Sequence, residues 1–175
     1  MAGEKNIWTI GHSTRSMDVF IELLQAFSIG HVVDVRQFPG SRKYPHFNCP
    51  ALKEALEAAG IAYTHLVQLG GRRKQEGEPM PSAWRHPAFA AYAAYMQTPS
   101  FAAGMEQLRA IAAKIPTAYM CSEAVWWRCH RALISDQLKA DGWSVWHIMD
   151  RDKSTLHPYT QPARIVDGRL TYAAT

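Results

Sequence analysis

The sequence is poor in the features that mark secreted and membrane-spanning proteins. It has only three cysteines among 175 residues, and a small, odd number argues against a disulfide framework. Its apolar runs are far shorter than the ~20 residues of a transmembrane helix. Residues 1–6 lack the basic and then apolar pattern of a signal peptide. We therefore expect a cytoplasmic protein with no membrane partner.

The sequence also lacks internal repeats, low-complexity tracts and any recognisable linker, which predicts a single domain over residues 1–175. Apolar residues make up 47% of the chain and charged residues 19%, as in ordinary globular proteins. The net charge is +4 and the pI is about 9.1. This mild basic excess is compatible with a polyanionic partner but does not identify one.

Short apolar segments rich in β-branched residues alternate with amphipathic segments. Strands are predicted at Ile7–Gly11, His31–Arg36, Ile61–Leu66, Thr117–Cys121 and Trp143–Ile148. Helices are predicted at Ser16–Ser28, Pro50–Ala59, Phe89–Met96, Ser100–Ile115 and Cys129–Ala140. This alternation predicts a three-layer α/β domain with a mainly parallel sheet of about five strands. Asp167-Gly168 between apolar runs adds a short C-terminal hairpin.

Several residues indicate where these helices begin and end. Ser16, Asn48 and Ser100 are predicted N-caps, because their side chains can accept a hydrogen bond from a free backbone N–H. Glycines at positions 30, 60 and 142 are predicted to end the preceding helices. Two long loops, Gln37–Asn48 and Gln68–Pro87, are rich in glycine and proline, and such loops are often functional.

The most informative segment is Met120–Arg131, where a predicted strand gives way to a predicted helix. Cys129 lies at the expected helix N-terminus beside Arg128, and both the helix dipole and nearby cations favour a reactive thiolate. Cys121 ends the strand. Both residues are candidate catalytic nucleophiles, although free cysteines are also common as buried packing residues.

Other ionisable groups surround these cysteines. Glu123 is a candidate general acid or base, and His130 is a further catalytic candidate. Arg131 is expected to bind a phosphate or carboxylate at the helix N-terminus. Alternatively, Glu123 forms an ion pair with Arg36 or Arg131 and holds the loop in place.

A parallel sheet would bring the ends of all five strands to one edge, which is where ligands bind in open α/β folds. That edge would gather His12 and Ser13, Asp34 and Arg36, Gly70 and Gly71, Cys121 and Glu123, and His147. Asp34 and Arg36 lie on the same side of their strand and could pair with each other or with Glu123 and Arg131. We expect His12, Ser13, Asp34 and Arg36 to contact substrate or phosphate.

Aromatic residues lie among cations in the predicted loops. Trp126 and Trp127 are adjacent, so they cannot both enter the core, and we expect them to contact substrate. Interleaved aromatics and cations suit base stacking and phosphate contact. The alternative is that these rings cover the core beneath long loops.

Common phosphate and metal motifs are missing. The chain has neither a P-loop nor a dinucleotide-binding glycine fingerprint, and the segment from Cys121 to Arg128 does not match a phosphatase loop. Cys121, Cys129 and His130 could hold zinc with His147 or His157, but there is no paired C-x-x-C motif. We predict no metal site and no cofactor.

Several short motifs together have a familiar pattern. They are Thr9-Ile10-Gly11-His12-Ser13, Asp34-Val35-Arg36 with Pro39 and Ser41, Leu69-Gly70-Gly71, Cys121-Ser122-Glu123, Cys129-His130-Arg131, His147-Ile148, Pro162-Ala163-Arg164 and Thr171-Tyr172. The chain resembles domain-of-unknown-function family 488 over nearly its whole length, and the Cys-x-Glu…Cys-His-Arg block is the most specific part. The resemblance implies the fold and the site. It brings no agreed activity, although the family's cysteines suggest an enzyme.

The sequence therefore favours an enzyme, hydrolase-like or transferase-like, that acts on a nucleotide, a nucleic-acid base or another phosphate-bearing substrate. Its thiol and carboxylate groups would meet at the carboxyl edge of the sheet. One alternative is a nucleic-acid-binding module without catalysis. Another is a thiol redox or metal-binding protein in which Cys121 and Cys129 approach each other closely enough to form a disulfide.

Overall fold

A six-stranded sheet runs through the computed structural model, which describes residues 4–40, 43–73 and 82–174. The strands are β1 Asn6–Gly11, β2 His31–Asp34, β3 Ala62–His65, β4 Thr117–Cys121, β5 Ser144–Asp150 and β6 Lys153–Leu156. Their order in the sheet is β3-β2-β4-β1-β5-β6. Strands β1 to β5 are parallel, and β6 pairs antiparallel with β5. The predicted α/β fold with a mainly parallel sheet is confirmed.

Helices pack on both faces of this sheet. They are α1 Met17–Ala26, α2 Cys49–Ala58, α3 Pro87–Tyr95, α4 Pro99–Ala112 and α5 Arg131–Ala140. One apolar cluster joins Phe20 of α1 and Leu52 of α2 to one sheet face, and a second joins residues of α3, α4 and α5 to the other face. A sheet between two helical layers buries both of its faces, as is usual for parallel strands.

Strand β4 illustrates how the sequence divides its side chains between the two layers. All five of its residues are buried. Ala118 and Met120 join the cluster of α1 and α2, whereas Tyr119 and Cys121 join that of α3, α4 and α5. This alternation follows from the two-residue period of a β-strand. It places the Cys121 thiol on the face covered by α5.

The predicted helix boundaries are partly confirmed. Ser16 caps α1 by accepting a hydrogen bond from the Val19 N–H, and Gly60 and Gly142 follow helices with φ values of +77° and +94°. The prediction for Ser100 was wrong, because Thr98 is the N-cap of α4 and accepts from the Phe101 N–H. Helix α2 begins at Cys49, one residue before the predicted start.

The prediction for Gly30 was also wrong in its physical reason. Ser28, with a φ of 57°, adopts the left-handed conformation that follows α1. Gly30 instead leaves room for a neighbour, because a Cβ at this position would force the Ile115 side chain to shift. Its N–H donates to the Pro116 carbonyl, 2.8 Å away, at the entry to the sheet.

The C-terminal part contains one strand that the sequence did not predict. Pairing with β6 extends β5 to Asp150, so His147 lies within a strand and not at its end. The predicted hairpin is confirmed: β7 Arg164–Val166 and β8 Arg169–Thr171 pair antiparallel through Asp167-Gly168, both of which have positive φ. Within the described ranges, no helix has the length and apolar character needed to cross a bilayer.

Candidate functional site

A cavity of about 670 Å³ opens at the carboxyl edge of the sheet. Its walls come from the segments after β1, β2 and β4, from α3 and from the residues that precede α5. The lining includes His12, Ser13, Thr14, Arg36, Gln37, Phe38, Lys43, Gly71, Arg72, Phe89, Tyr92, Cys121, Glu123, Arg128, Cys129 and His130. Sheet topology thus brings residues that are more than 100 positions apart into one site, as the parallel arrangement predicted.

Two cysteines lie at the inner wall of this cavity. The sulfur atoms of Cys121 and Cys129 are 2.8 Å apart, and both residues are buried and unbridged. Cys121 ends β4. Cys129 follows a short 3₁₀ turn at Trp126–Arg128 and has an extended backbone, so it precedes α5 and is not its first residue as predicted. The α5 N-terminus still reaches it, because the Arg131 N–H points at the Cys129 sulfur at 3.4 Å.

The Arg131 guanidinium lies beneath the two sulfurs and is 1% exposed. Its Nε donates to the Cys121 sulfur at 3.0 Å, and its terminal nitrogens donate to Thr9 Oγ1 at 3.0 Å and the Glu123 carbonyl at 2.8 Å. Gly11 makes this arrangement possible, because a Cβ there would overlap the Glu123 carbonyl and press on the guanidinium. Arg131 therefore faces the sulfurs, whereas the sequence predicted contact with a substrate phosphate.

Electrostatics distinguish the two thiols. Burial and the hydrogen bond shared with Cys129 raise the pKa of Cys121 well above its usual value. Burial opposes ionisation of Cys129 as well, but the hydrogen bond from Cys121 and the Arg131 charge outweigh it and lower the pKa of Cys129 to about 7. Cys129 donates to Cys121 when both are thiols, and Cys121 donates once Cys129 ionises. Since a buried cation needs a compensating anion, Cys129 is the thiol of the pair that ionises first.

His130 completes the immediate surroundings of Cys129. Its Nε2 lies 2.7 Å from the Val35 carbonyl, and because a carbonyl only accepts, Nε2 must carry the hydrogen. Nδ1 lies 3.4 Å from the Cys129 sulfur and is free to exchange a proton with it. Burial lowers the pKa of His130. Gly71 packs against this ring, and a Cβ at that position would overlap Nδ1.

Asp34 and Arg36 form the ion pair that the sequence offered as an alternative. The Arg36 guanidinium donates to both carboxylate oxygens, at 2.9 and 2.7 Å, and also to the Phe47 carbonyl. Tyr63 donates to the same carboxylate at 2.6 Å. Asp34 is fully buried and does not line the cavity, whereas Arg36 does. This pair shapes the wall of the site.

His12 lies in the cavity wall. Its ring stacks on Phe47 with a centroid distance of 4.2 Å, and its Nδ1 donates to the Ser13 carbonyl at 2.9 Å. Burial lowers the pKa of His12 to about 4, so the ring is neutral and Nε2 is an acceptor. Within the described part of the chain, this buried Nε2 has no hydrogen-bond partner, and neither does Oε1 of Gln37, another residue of the cavity wall.

The remaining predicted residues occupy different positions. Ser13 and Glu123 line the cavity, and the Glu123 carboxylate makes no ion pair with any described residue. Its carbonyl, not its carboxylate, contacts Arg131. Trp126 stacks on His147 at a centroid distance of 4.5 Å, and Trp127 is 51% exposed. Neither tryptophan is part of the cavity lining.

One family model matches the central part of the chain. Residues 16–138, which form more than half of the chain, match the family described as domain of unknown function DUF488. The chain belongs to the DUF488 family. No curated protein and no solved structure matches it.

The site also rests on Thr9 and Asp136, which were not among the predicted site residues, and on His157, which the sequence offered only as a zinc ligand. Thr9, Asp136 and His157 are buried and form hydrogen bonds in a row that ends at Arg131. Thr9 is polar in an otherwise apolar strand, and Asp136 follows Leu133 and Ile134 on a buried face of α5. A buried polar residue among apolar neighbours needs a hydrogen-bond partner. Polar residues within these apolar segments were therefore the sequence signal that could have identified the row.

The same row affects the zinc alternative for this DUF488 chain. His147 and His157 hydrogen-bond each other, and their remaining nitrogens face Thr9 and Asp136. They therefore do not join Cys121 and Cys129 as a ligand set. Among the described residues, no three His, Cys, Asp or Glu side chains are arranged to hold a metal ion. Residues 41–42 and 74–81, which include Ser41 and much of the second long loop, lie outside the described residues.

Proposed function

We propose that this chain is an enzyme in which the Cys129 thiolate attacks a phosphate-bearing substrate, such as a nucleotide or a nucleotide unit of a nucleic acid. The observation that carries this proposal is the position of the Cys129 sulfur. It lies at the wall of a 670 Å³ cavity, in contact with a thiol donor, an imidazole and a helix N-terminus above a buried guanidinium. Thiolates in such electropositive surroundings are typical nucleophiles.

The charge of the cavity favours an anionic substrate. Lys43, Arg72 and Arg128 line it, and none of the three forms an ion pair with a described carboxylate. Glu123 lines the same cavity, and its carboxylate offsets part of this positive charge. An excess of uncompensated cations in a concave site attracts and orients phosphate groups.

The shape and polarity of the wall favour a base or sugar next to the phosphate. Phe38, at the cavity wall, is 65% exposed and lies beneath the Arg72 guanidinium, which gives a surface for stacking. Deeper in the wall, His12 Nε2 and Gln37 Oε1 are acceptors without a described partner. Buried acceptors of this kind favour a ligand that presents N–H or O–H donors.

The proposed reaction has two steps. The Cys129 sulfur forms a bond to an electrophilic carbon or phosphorus, and the leaving group departs with the electron pair of the broken bond. Water then attacks the thio-intermediate, Glu123 accepts its proton, and the thiolate is released with the product. Where Cys129 is still a thiol, His130 Nδ1 accepts its proton before the attack, and Glu123 passes the proton taken from water to the leaving group, which restores the carboxylate.

Intact mass spectrometry tests this proposal. The protein is incubated with mononucleotides and with single- and double-stranded oligonucleotides, both normal and base-damaged. We expect a mass change in the oligonucleotide or nucleotide, or an adduct on the protein, with the wild type and with Cys49→Ser, a matched control because Cys49 lies outside the cavity lining. We expect neither with Cys129→Ser. No change with any substrate, or full activity of Cys129→Ser, would overturn the proposal.

A second candidate function, thiol–disulfide exchange, is favoured by the 2.8 Å separation of the two sulfurs. Cys129 would attack a disulfide substrate and release one thiolate. Cys121 would then lose its proton, attack the mixed disulfide and release the second thiol, so that two electrons pass to the substrate. Reduction of one equivalent of a small disulfide such as oxidised glutathione, lost in both Cys121→Ser and Cys129→Ser, would support this function. If oligonucleotides bind in a salt-dependent way but remain unchanged, the non-catalytic binding module is favoured instead.

A further inference from the structure

The buried row of polar side chains behind the cysteines leads from Arg131 to a carboxylate on α5. Arg131 donates to Thr9 Oγ1 at 3.0 Å, and Thr9 Oγ1 lies 2.6 Å from Nδ1 of His147. His147 Nε2 lies 2.8 Å from Nδ1 of His157, whose Nε2 lies 2.8 Å from Asp136 Oδ1. The row thus joins three parts of the fold: β1, β5 with the segment after β6, and α5.

Each hydrogen bond of this row can be assigned one donor and one acceptor. Asp136 accepts from His157, from the Thr160 N–H and hydroxyl and from the Tyr172 hydroxyl, so its oxygens act as carboxylate acceptors. His157 then carries its hydrogen on Nε2 and accepts at Nδ1. His147 donates from Nε2 and accepts from the Thr9 hydroxyl, which leaves a Thr9 lone pair for Arg131. Burial lowers the pKa of His147 to about 2, in agreement with a neutral ring.

The row has a consequence for the guanidinium. Among the residues that the structure describes, no carboxylate forms an ion pair with Arg131, yet its side chain is held at three points, one of which is Thr9. If the Thr9 hydroxyl turned, a buried cationic N–H would lose its acceptor, which is costly. The bond from Thr9 to His147 fixes the hydroxyl, and Asp136 fixes the two imidazoles in turn.

We propose that Thr9, His147, His157 and Asp136 are positioning residues that hold the Arg131 guanidinium against the sulfurs of Cys121 and Cys129 through this continuous row of hydrogen bonds. They touch neither sulfur and do not line the cavity. Their effect on the reaction passes through Arg131. This inference rests on the proposed thiolate function of Cys129.

The test is the pH dependence of Cys129 alkylation by iodoacetamide, followed by peptide mass spectrometry so that Cys49 and Cys121 are scored separately. Cys129 is faced by Cys121 from β4, by His130 and Arg131 at the start of α5 and, through the His130 ring, by Tyr92 from α3. None of these groups is altered in the variants below. A change in the titration midpoint therefore reports on the row behind Arg131.

Thr9→Val keeps the side-chain shape and removes the hydroxyl. We expect the alkylation midpoint of Cys129 to rise from about 7 to about 8, so that the rate at pH 7 falls about fivefold. His147→Phe, which removes both ring nitrogens, should shift the midpoint in the same direction. Thr9→Ser keeps the hydroxyl and should restore the wild-type midpoint.

Thr117→Val is the matched control. Thr117 is a buried threonine at the start of β4, and its hydroxyl donates to the Ile115 carbonyl far from the sulfurs. The Thr117→Val variant should be less stable, but its pH midpoint of Cys129 alkylation should equal that of the wild type. Folded Thr9→Val and His147→Phe proteins with wild-type midpoints would overturn the positioning role. A wild-type midpoint of 8.5 or above, the range of an ordinary thiol, would instead overturn the proposed function itself.

Discussion

Cys121 and Cys129 lie eight positions apart in the chain, yet their sulfurs are 2.8 Å apart. The two sulfurs come together because β4 ends at Cys121 and the following loop reverses direction through the 3₁₀ turn at Trp126–Arg128. From the first turn of α5, the Arg131 side chain donates to the Cys121 sulfur and its backbone N–H points at the Cys129 sulfur. A pair of thiols held over a buried cation has two consequences, one redox and one electrostatic.

The redox consequence is that the two cysteines should form a disulfide with little movement. The mild oxidant diamide accepts two electrons and two protons, and the protein should lose about 2 Da as the Cys121–Cys129 bond forms. Alkylation of Cys129 should then stop until a reductant is added. Cys49→Ser should behave as the wild type, whereas Cys121→Ser should show no intramolecular loss of mass. Formation of the same product in Cys121→Ser would contradict the pairing.

The electrostatic consequence is a pH-dependent contribution of Cys129 to stability. Because its pKa is lowered to about 7 in the folded protein, the unfolded chain binds the thiol proton more tightly. The stabilisation is therefore fully present above the unfolded pKa of about 8.5 and is lost as the pH falls through about 7. Cys129→Ser removes the anion and leaves the Arg131 cation uncompensated, at a cost on the order of 3 kcal/mol at pH 9.

Urea unfolding of wild type and Cys129→Ser at pH 6 and pH 9 measures this contribution. The difference in the free energy of unfolding between the two proteins should be larger at pH 9. The double variant Cys129→Ser with Arg131→Met removes both charges and should recover part of the loss at pH 9. An equal difference at both pH values would show that Cys129 is a neutral packing thiol.

Much of the site could be predicted because it depends on sheet topology. Once strand and helix alternate, parallel strands bring His12, Arg36 and Cys121 to one edge whatever the side-chain details. The positions of Asp34 and Arg36 two residues apart on one strand were also enough to offer their ion pair as an alternative to substrate contact. These inferences need only the side-chain periodicity of strands and helices, which can be recognised in short segments of sequence.

The orientation of Arg131 could not be predicted in the same way. A guanidinium at a helix N-terminus suits a phosphate, but here Gly11 leaves space for it to turn inward. Thr9, the Cys121 sulfur and the Glu123 carbonyl then supply its acceptors. These partners come from a neighbouring strand and depend on sheet register. Strand β6 was missed because its side chains are mostly exposed, so it shows little hydrophobic signal, and its absence placed His147 at a strand end.

Buried histidines should make the protein sensitive to acid. The pKa of His12 is lowered to about 4 and that of His147 to about 2, mainly by burial. Between an unfolded pKa of about 6.5 and these values, the unfolded chain binds more protons, so stability falls as the pH falls. Each histidine should cost about 2 kcal/mol between pH 8 and pH 5. Urea unfolding across this range should show the loss, and the slope with pH should be smaller for His147→Phe; equal slopes would contradict the neutral buried ring.

Gly71 offers a test of His130 as the proton partner of Cys129. A Cβ at position 71 would overlap Nδ1 of the His130 ring, so Gly71→Ala must push that ring away from the sulfur or from the Val35 carbonyl. We expect slower alkylation of Cys129 at pH 7, by about the same factor as in His130→Ala. Because both changes act on one imidazole, the double variant should be no slower than either single variant, a clear departure from additivity. Multiplied effects in the double variant would show that Gly71 acts on the cavity independently of His130.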